Sequence, residues 1–471
     1  MNDTMMTNKQ EEKEKARIED QESKEQAKIL KAFMGTVRHY FGRWGKIFEG
    51  VRDVRNPLLI TYPMAGLMFI GILMYMFRLG ARREINHKLR GNKVSEKKFK
   101  AIFGTEEIPH GDTLNYGFKR VNPEEVQAIV IKLVKKLIRK KVLTPWRLFG
   151  IYYLITFDGT GVLTFSERHC QYCLTQKLTN GVIRYYHPVL EAKLVTASGF
   201  AISLVTEFIE NEDMHPEKQD CELKAFYRLT KKLKKCFPRL PMCLLLDGLY
   251  AGGPTFNLCE QYDWKYLITL KDADLSSVNE EFEYLMSVSP ENHKQLVVGG
   301  AKQVSQTYRW MNGIDYIDSQ GEEHRLNVLE CVETYREPPG EPFVSKKHKW
   351  LTNFLPISRN VTTLANDGGR LRWKIENEGF NIQKNGGFNL EHPYSQDENA
   401  RKVFYYLLQI AYLFFQLMEK GSLFRNAFPN GVGSLKNIAD RLLEAWRNLR
   451  LDDQEFISLY SGKFQIRFDS S

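Results

Sequence analysis

Near residue 148 the hydrophobic period of this chain changes from that of a helix to that of a strand. Before the change, "NPEEVQAIVIKLVKKLIRKK" (122–141) opens on an Asn-Pro-Glu-Glu helix start. It then repeats Ile129, Val130, Leu133, Val134, Leu137 and Ile138 at helical spacing. After it, "IYYLITFDGTGVLTF" (151–165), "YYHPVLEAKLVT" (185–196) and "FAISLVTEFI" (200–209) read as three strands, the last two joined by a tight Ser198-Gly199 turn. A lysine-rich helix, "DCELKAFYRLTKKLKKCF", follows. Then come a buried strand, "MCLLLD" (242–247), another helix, and a strand, "KYLITLKD" (265–272). Hairpin strands followed by helix and strand in alternation predict an α/β fold, a mixed sheet flanked by helices.

At 471 residues the chain exceeds one ordinary core, and its texture divides it further. Residues 1–35 alternate acids and bases and read as a charged arm, helical or disordered. Residues 36–147 read as an all-α N-terminal domain. Residues 148–272 and 350–425 form the expected core, with 273–349, polar and strand-like, as a β-rich insertion between them. Residues 426–471 read as a helical tail. The uncharged run "LLITYPMAGLMFIGILMYMF" (58–77) is long enough to cross a bilayer. Pro63, two glycines, two tyrosines and the lack of a second such run favour a buried helix, so no membrane is expected as a partner.

Lys and Arg number 67 against 57 Asp and Glu, a formal charge of +10 with a pI near 9.0, which favours a polyanionic partner. Seven cysteines, an odd number, and a polar, charged opening without a signal pattern point to a reducing, cytoplasmic compartment.

Two aspartates follow apolar strand runs. Asp158 comes directly after Ile151 to Phe157, and Asp247 after Leu244 to Leu246. A carboxylate at the exit of a buried strand is rigidly aimed, and two such strands side by side would bring both acids together, their repulsion calling for a cation. Glu376, in "LRWKIENEGFN" (371–381), follows Arg372 by four residues, which on a helix puts both on one face. Asp158, Asp247 and Glu376 could together hold two divalent ions roughly 4 Å apart for in-line attack on a phosphodiester.

The chain resembles the DDE transposases of bacterial insertion sequences, of the insertion-sequence family 4 type, over roughly residues 60–420. The resemblance rests on "FDGT", on "LLLDGLYAG", on "KWLTNF" (349–354) leading into "GRLRWKIENEGFN", and on "IPHGDTLNYGFKRVNPEEV" (108–126). It implies a ribonuclease H-like core in which Asp158, Asp247 and Glu376 are the catalytic, metal-binding triad. It also implies Mg2+ as a pair of ions, with Mn2+ able to substitute, and Arg372 as a contact to DNA phosphate. The expected partners are double-stranded DNA, as terminal inverted repeats and target DNA, and further copies of the chain in a dimer or larger assembly on paired ends. The expected location is nucleoid-associated. Alternatives are a catalytically inactive DNA-binding derivative, or a related nuclease that cuts without joining. The family pattern Y-x-x-R-x-x-x-E-x-x-x-x-x-x-K is kept at Arg372 and Glu376; Gly369 replaces its tyrosine and Gln383 its lysine, with Lys384 one residue later as a candidate phosphate contact.

Further DNA contacts are expected from Lys271, after a core strand, and from Lys132, Lys136 and Arg139 on the polar face of the 122–141 helix, which also reads as an ordinary solvated face. The resemblance makes Trp310 a candidate for stacking on a flipped base, against a packing role in the insertion. "RHCQYC" supplies His169, Cys170 and Cys173, with His187 on the next strand, a tetrahedral zinc set in principle. Because adjacent His and Cys on a strand face opposite ways and no second cysteine pair is present, ordinary thiols are the expectation there.

Overall fold

Ten strands form one mixed sheet in the computed structural model, which describes residues 2–214, 216–299, 303–336 and 343–469. Residue 1 of the expected arm, residues 300–302 and 337–342 of the expected insertion, and residues 470–471 lie outside the described residues. Two compact units emerge: residues 141–379, and residues 1–140 together with 380–471.

In the first unit the period-two runs become β1 (Tyr153–Phe165), β2 (Leu174–Lys177), β3 (Ile183–Val195) and β4 (Ala201–Phe208). The alternating helices and strands contribute β5 (Met242–Leu246) and β6 (Lys265–Thr269). Four longer strands follow: β7 (His293–Val298), β8 (Val304–Ile317), β9 (Glu323–Arg336) and β10 (Phe343–Thr352). Their order is β2-β3-β1-β5-β6-β10-β9-β8-β7, with β4 also on β3. β1 runs antiparallel to β3 and parallel to β5, and β5 runs parallel to β6. The insertion's strands extend this same sheet, because β10 pairs with both β6 and β9.

Residues 273–349 are not all strand. Ser276–Val288 is a helix against β8, with Val278, Phe282 and Met286 buried at four-residue spacing, a helical signal the polar residues around it obscure. The helix Glu222–Cys236 covers β3 and β4 through Ala225, Phe226, Leu229 and Leu233. Phe226 meets Phe157 of β1 edge-to-face at 5.0 Å, a geometry aromatic rings prefer.

The opposite core joins Leu154, Cys243, Leu245, Leu267, Tyr308, Trp310, Leu329 and Trp350 to Leu364 and Ala365. Two glycines let the chain after residue 361 lie close on the sheet. A Cβ on Gly368 would fall 2.7 Å from Leu267 Cδ1, and one on Gly369 would fall 2.5 Å from the Trp350 indole. That close approach accounts for glycine at both positions.

In the second unit the run 64–76 is a helix, Met64–Met76, buried at every position except Ala65. It packs against the helices Glu398–Lys420 and Gly111–Phe118. At Gly71 a Cβ would meet Leu407 Cδ1 at 2.7 Å, so the Leu407 side chain packs directly on the Gly71 backbone. Pro63 caps the helix start, which shortens the apolar run to 13 helical residues, against the ~20 a bilayer requires. Among the described residues no helix is long and apolar enough to cross a membrane.

Candidate active site

Parallel pairing fixes the position of the two aspartates. Thr156 of β1 is registered with Leu245 of β5, and Asp158 and Asp247 each lie two residues further on. Side chains alternate along a strand, so two steps return both acids to the same face of adjacent strands. Asp247 directly follows β5 and opens a 3₁₀ turn, Gly248–Tyr250, as an acid at a strand exit should. Asp158 behaves otherwise: β1 continues through it to Phe165, paired on its other side with β3, where Asp158 faces Glu191. The Asp-Gly dipeptide is here a strand dipeptide, and its glycine serves a contact rather than a turn.

That contact is with Glu222, in the first turn of the helix after β4. A Cβ on Gly159 would lie 2.5 Å from Glu222 Oε2. The Tyr250 hydroxyl donates to Glu222 Oε1 at 2.6 Å. Burial, then Glu222, Asp158 and Asp247 push the Tyr250 phenol far above its ordinary range, so it remains a donor. Glu222 was not anticipated, because an acid in a helix's first turn is ordinary charge placement and only the tertiary fold brings it to Asp158.

Asp158 is raised from 3.8 to about 6. Burial is the largest cause, followed by repulsion from Glu222; Arg372 and the Gly159 amide, which donates to Oδ1 at 3.0 Å, pull the other way, and Glu376 adds a smaller upward push. Asp158, Glu376, Glu222 and Arg372 therefore share one electrostatic environment. The Glu191 carboxylate, by contrast, is fully buried and engaged by Ser203, Thr206 and Lys193.

Arg372 links the two aspartates. Its Nη2 lies 3.4 Å from Asp247 Oδ2, and its Nε is buried without a hydrogen-bond partner. Lys271 reaches Asp247 Oδ1 at 3.4 Å from the loop after β6. Arg372 stands in a 3₁₀ segment, Gly369–Trp373, and Glu376 in the π-helical turn Ile375–Asn381 that follows it. Such wide turns are uncommon and recur at functional positions. The helical path continues through Gly379 and Phe380 to Asn385. Gly379 lies against the aliphatic stem of Lys193.

Beside Asp247 opens a cleft of about 440 Å³ whose lining includes Lys271, Lys346, Lys347, Lys349, Arg370 and Arg372 against Asp247 and Asp272. Much of this charge is already matched. Lys347 pairs with Asp272 at 2.7 Å, Lys349 with Glu283 at 3.4 Å, and Arg370 with Glu333.

The remaining expected contacts lie elsewhere. Trp310 is 5 % exposed in the core cluster, so its ring packs rather than presenting a stacking face. Lys132, Lys136 and Arg139 belong to the second unit, on the helix Pro123–Arg139. Lys136 donates to the Phe41 carbonyl at 3.0 Å, at the C-terminal end of the long first helix, a favourable place for a cation. Lys384, also in that unit, pairs with Glu391 at 2.8 Å. Gln383, beside Lys384, is buried and bonded to Gln409 at 2.9 Å, which commits it to packing.

No protein-family model and no curated protein matches this chain.

Proposed function

We propose that the site built on Asp158, Asp247 and Glu376 cleaves and transfers DNA strands, as in a DDE transposase with a ribonuclease H-like core. The observation that carries this reading is the parallel β1/β5 pairing, whose last registered pair, Thr156 and Leu245, lies two residues before Asp158 and Asp247, with Glu376 and Arg372 in the same electrostatic environment. Strand order supports it as well: β4-β3-β1-β5-β6, antiparallel then parallel about β1, is the order of a ribonuclease H-like sheet.

The donor set fits a hard divalent cation. Carboxylate oxygens are the preferred ligands of Mg2+ and Mn2+, and a desolvated aspartate raised to about 6 beside two further acids is a group that a cation relieves. Held by Asp158, Asp247 and Glu376, such ions supply charge neutralisation and activation of the attacking oxygen. Among the described residues, these three acids are not one of the groups whose ligand atoms all approach within 4.8 Å; here the cations next to Asp247 are the side chains of Arg372 and Lys271.

The chain's own residues have separable parts. Arg372, with a buried guanidinium N–H that lacks an acceptor, is suited to hold a phosphate oxygen, since a planar donor fork matches that group. Lys271, more exposed, offers a second positive charge at the mouth of the cleft. Tyr250 holds Glu222 in place, and Glu222 tunes the proton affinity of Asp158.

The test is excision from a plasmid carrying the gene's native flanking DNA, with Mg2+ or Mn2+, comparing wild type with Asp158→Asn and Glu376→Gln. Cutting and joining by the wild type, lost in both variants, supports the reading. Cutting without joining converts it to a nuclease. A wild type that binds the ends and never cuts overturns the catalytic claim.

A further inference from the structure

Beyond Asp158, the ladder of β1 and β3 carries a second set of donors of different chemistry. In a strand, His169 and Cys170 would face apart, but residues 166–173 are not a strand. They form the loop from β1 to β2, and this loop turns both thiols and one imidazole inward. His187, opposite Leu163 in the ladder, supplies a second imidazole from β3. His169 Nδ1 lies 3.1 Å from Cys173 Sγ, and the two sulfurs are 3.5 Å apart. His187 Nε2 lies 3.4 Å from Cys170 Sγ and 3.3 Å from Cys173 Sγ. All four ligand atoms fall within 4.8 Å of one another.

We propose that His169, Cys170, Cys173 and His187 bind one Zn2+ as a closed structural site. A tetrahedral ion with Zn–S of about 2.3 Å and Zn–N of about 2.0–2.1 Å sets its ligand atoms roughly 3.4–3.8 Å apart. The four separations above need to open by only a few tenths of an ångström, and the other two lie within 4.8 Å. Two thiolates and two neutral imidazoles also cancel the charge of the ion, which suits a site where Cys173 and His187 are buried. Soft sulfur and imidazole donors select Zn2+ over Mg2+ or Ca2+. With four protein ligands no position is left for substrate, so the role is structural.

The surroundings fit such a role. Asn211 donates from its side chain to the Cys173 carbonyl at 2.8 Å and from its backbone to the Tyr172 carbonyl at 3.2 Å, which holds the turn between the thiols and β2. Among the described residues β2, of four residues, pairs with β3 alone in the sheet, and Gln219 bonds Thr175 on its other side, so the loop carrying the thiols is held at a short edge. A Cys170–Cys173 disulfide is the rival, but it would use the two sulfurs and give the two imidazoles no reason to converge on them.

The experiment uses the full chain, purified under reducing conditions without chelator and passed into metal-free buffer. Expected are one zinc per chain by elemental analysis, its loss in Cys173→Ser and in His187→Ala, and its retention in Cys236→Ser. Since a ligand variant could fail to fold, the wild type is also stripped, reduced and titrated with Co2+. A thiolate-to-cobalt charge-transfer band that saturates at one equivalent supports the site. Fully reduced wild type that takes up neither zinc nor cobalt overturns the proposal, as does zinc that persists in folded Cys170→Ser and Cys173→Ser. The oxygen-ligand site fails or stands separately, because none of its residues enters these readouts.

Discussion

Two clusters of donors, one on β1 and one between the loop that follows it and β3, differ in almost every physical respect. At Asp158 and Asp247 the donors are carboxylates: Asp158 is repelled by Glu222 and drawn by Arg372, and Asp247 faces a cleft and is balanced by Arg372 and Lys271. At His187, on the neighbouring strand, they are thiols and imidazoles drawn inward from a loop and a strand. The first arrangement stores repulsion that a substrate or cation can relieve, and the second closes on itself. Mutation should therefore separate them: neutralising Asp158 should remove activity and leave the fold more stable, whereas breaking the sulfur-nitrogen set should weaken the fold and spare the chemistry.

The largest expected effect lies at the acids. Asp158→Asn, Asp247→Asn or Glu376→Gln should each lower strand cleavage by on the order of 10³-fold or more, the scale of losing a group that acts as one unit with its neighbours. Asp158→Asn should at the same time raise stability at neutral pH, by up to roughly 3 kcal/mol if the whole penalty of a carboxylate raised from 3.8 to about 6 is removed. Activity and thermal unfolding measured on the same preparations test both halves. A destabilised Asp158→Asn protein breaks the comparison.

Next is the closed cluster. Cys173→Ser should lower stability by roughly 3 kcal/mol, in the range typical of lost metal or disulfide constraints, read as an earlier thermal transition, with cleavage rates below that transition unchanged within about twofold. Equal loss of activity at low temperature would mean that the edge of the sheet and the acid site are coupled, which independent donor sets do not allow.

A smaller effect is expected at Gly159→Ala. Its Cβ would fall 2.5 Å from Glu222 Oε2, so the carboxylate must swing away from Asp158 at a cost of about 1–3 kcal/mol for overpacking. Unchanged stability would mean that Glu222 moves freely and that its contact with Tyr250 matters little.

Most of the strands were legible in the sequence because period-two alternation and bounding turns survive without tertiary help, as in β3, β4 and β6. Asp158 and Asp247 stood out only in combination, since an Asp before Gly after a run such as Leu244 to Leu246 is by itself common turn chemistry. What the chain alone hid was convergence. Glu222 reads as a helix-start charge until β1 places Gly159 beneath it. His169 and Cys170 read as divergent only while their segment is taken as a strand. Trp310, in turn, reads as a candidate contact until its strand is seen to face the core. Each case turns on which residues a fold brings together from distant parts of the chain, information that local periodicity does not contain.

The smallest expected effect is also the most discriminating, because it has a sign. Before any Mg2+ is added, Asp158 carries its penalty at pH above about 6 and loses it as pH falls toward 3.8, where both folded and unfolded carboxyls are protonated. Wild type should therefore gain on Asp158→Asn in stability as pH is lowered through that window. Glu222 raises the Asp158 carboxyl and Arg372 lowers it. Glu222→Gln should then move the inflection down, and Arg372→Gln should move it up, each by a fraction of a pH unit to about one unit at the few-ångström separations of a half-buried site. Paired unfolding curves across pH, referenced to the Asp158→Asn version of each variant, isolate this term from others. Shifts of the same sign would mean that both substitutions act through burial rather than charge, and the acids would then have to be read as neighbours in a packed edge instead of members of one electrostatic cluster.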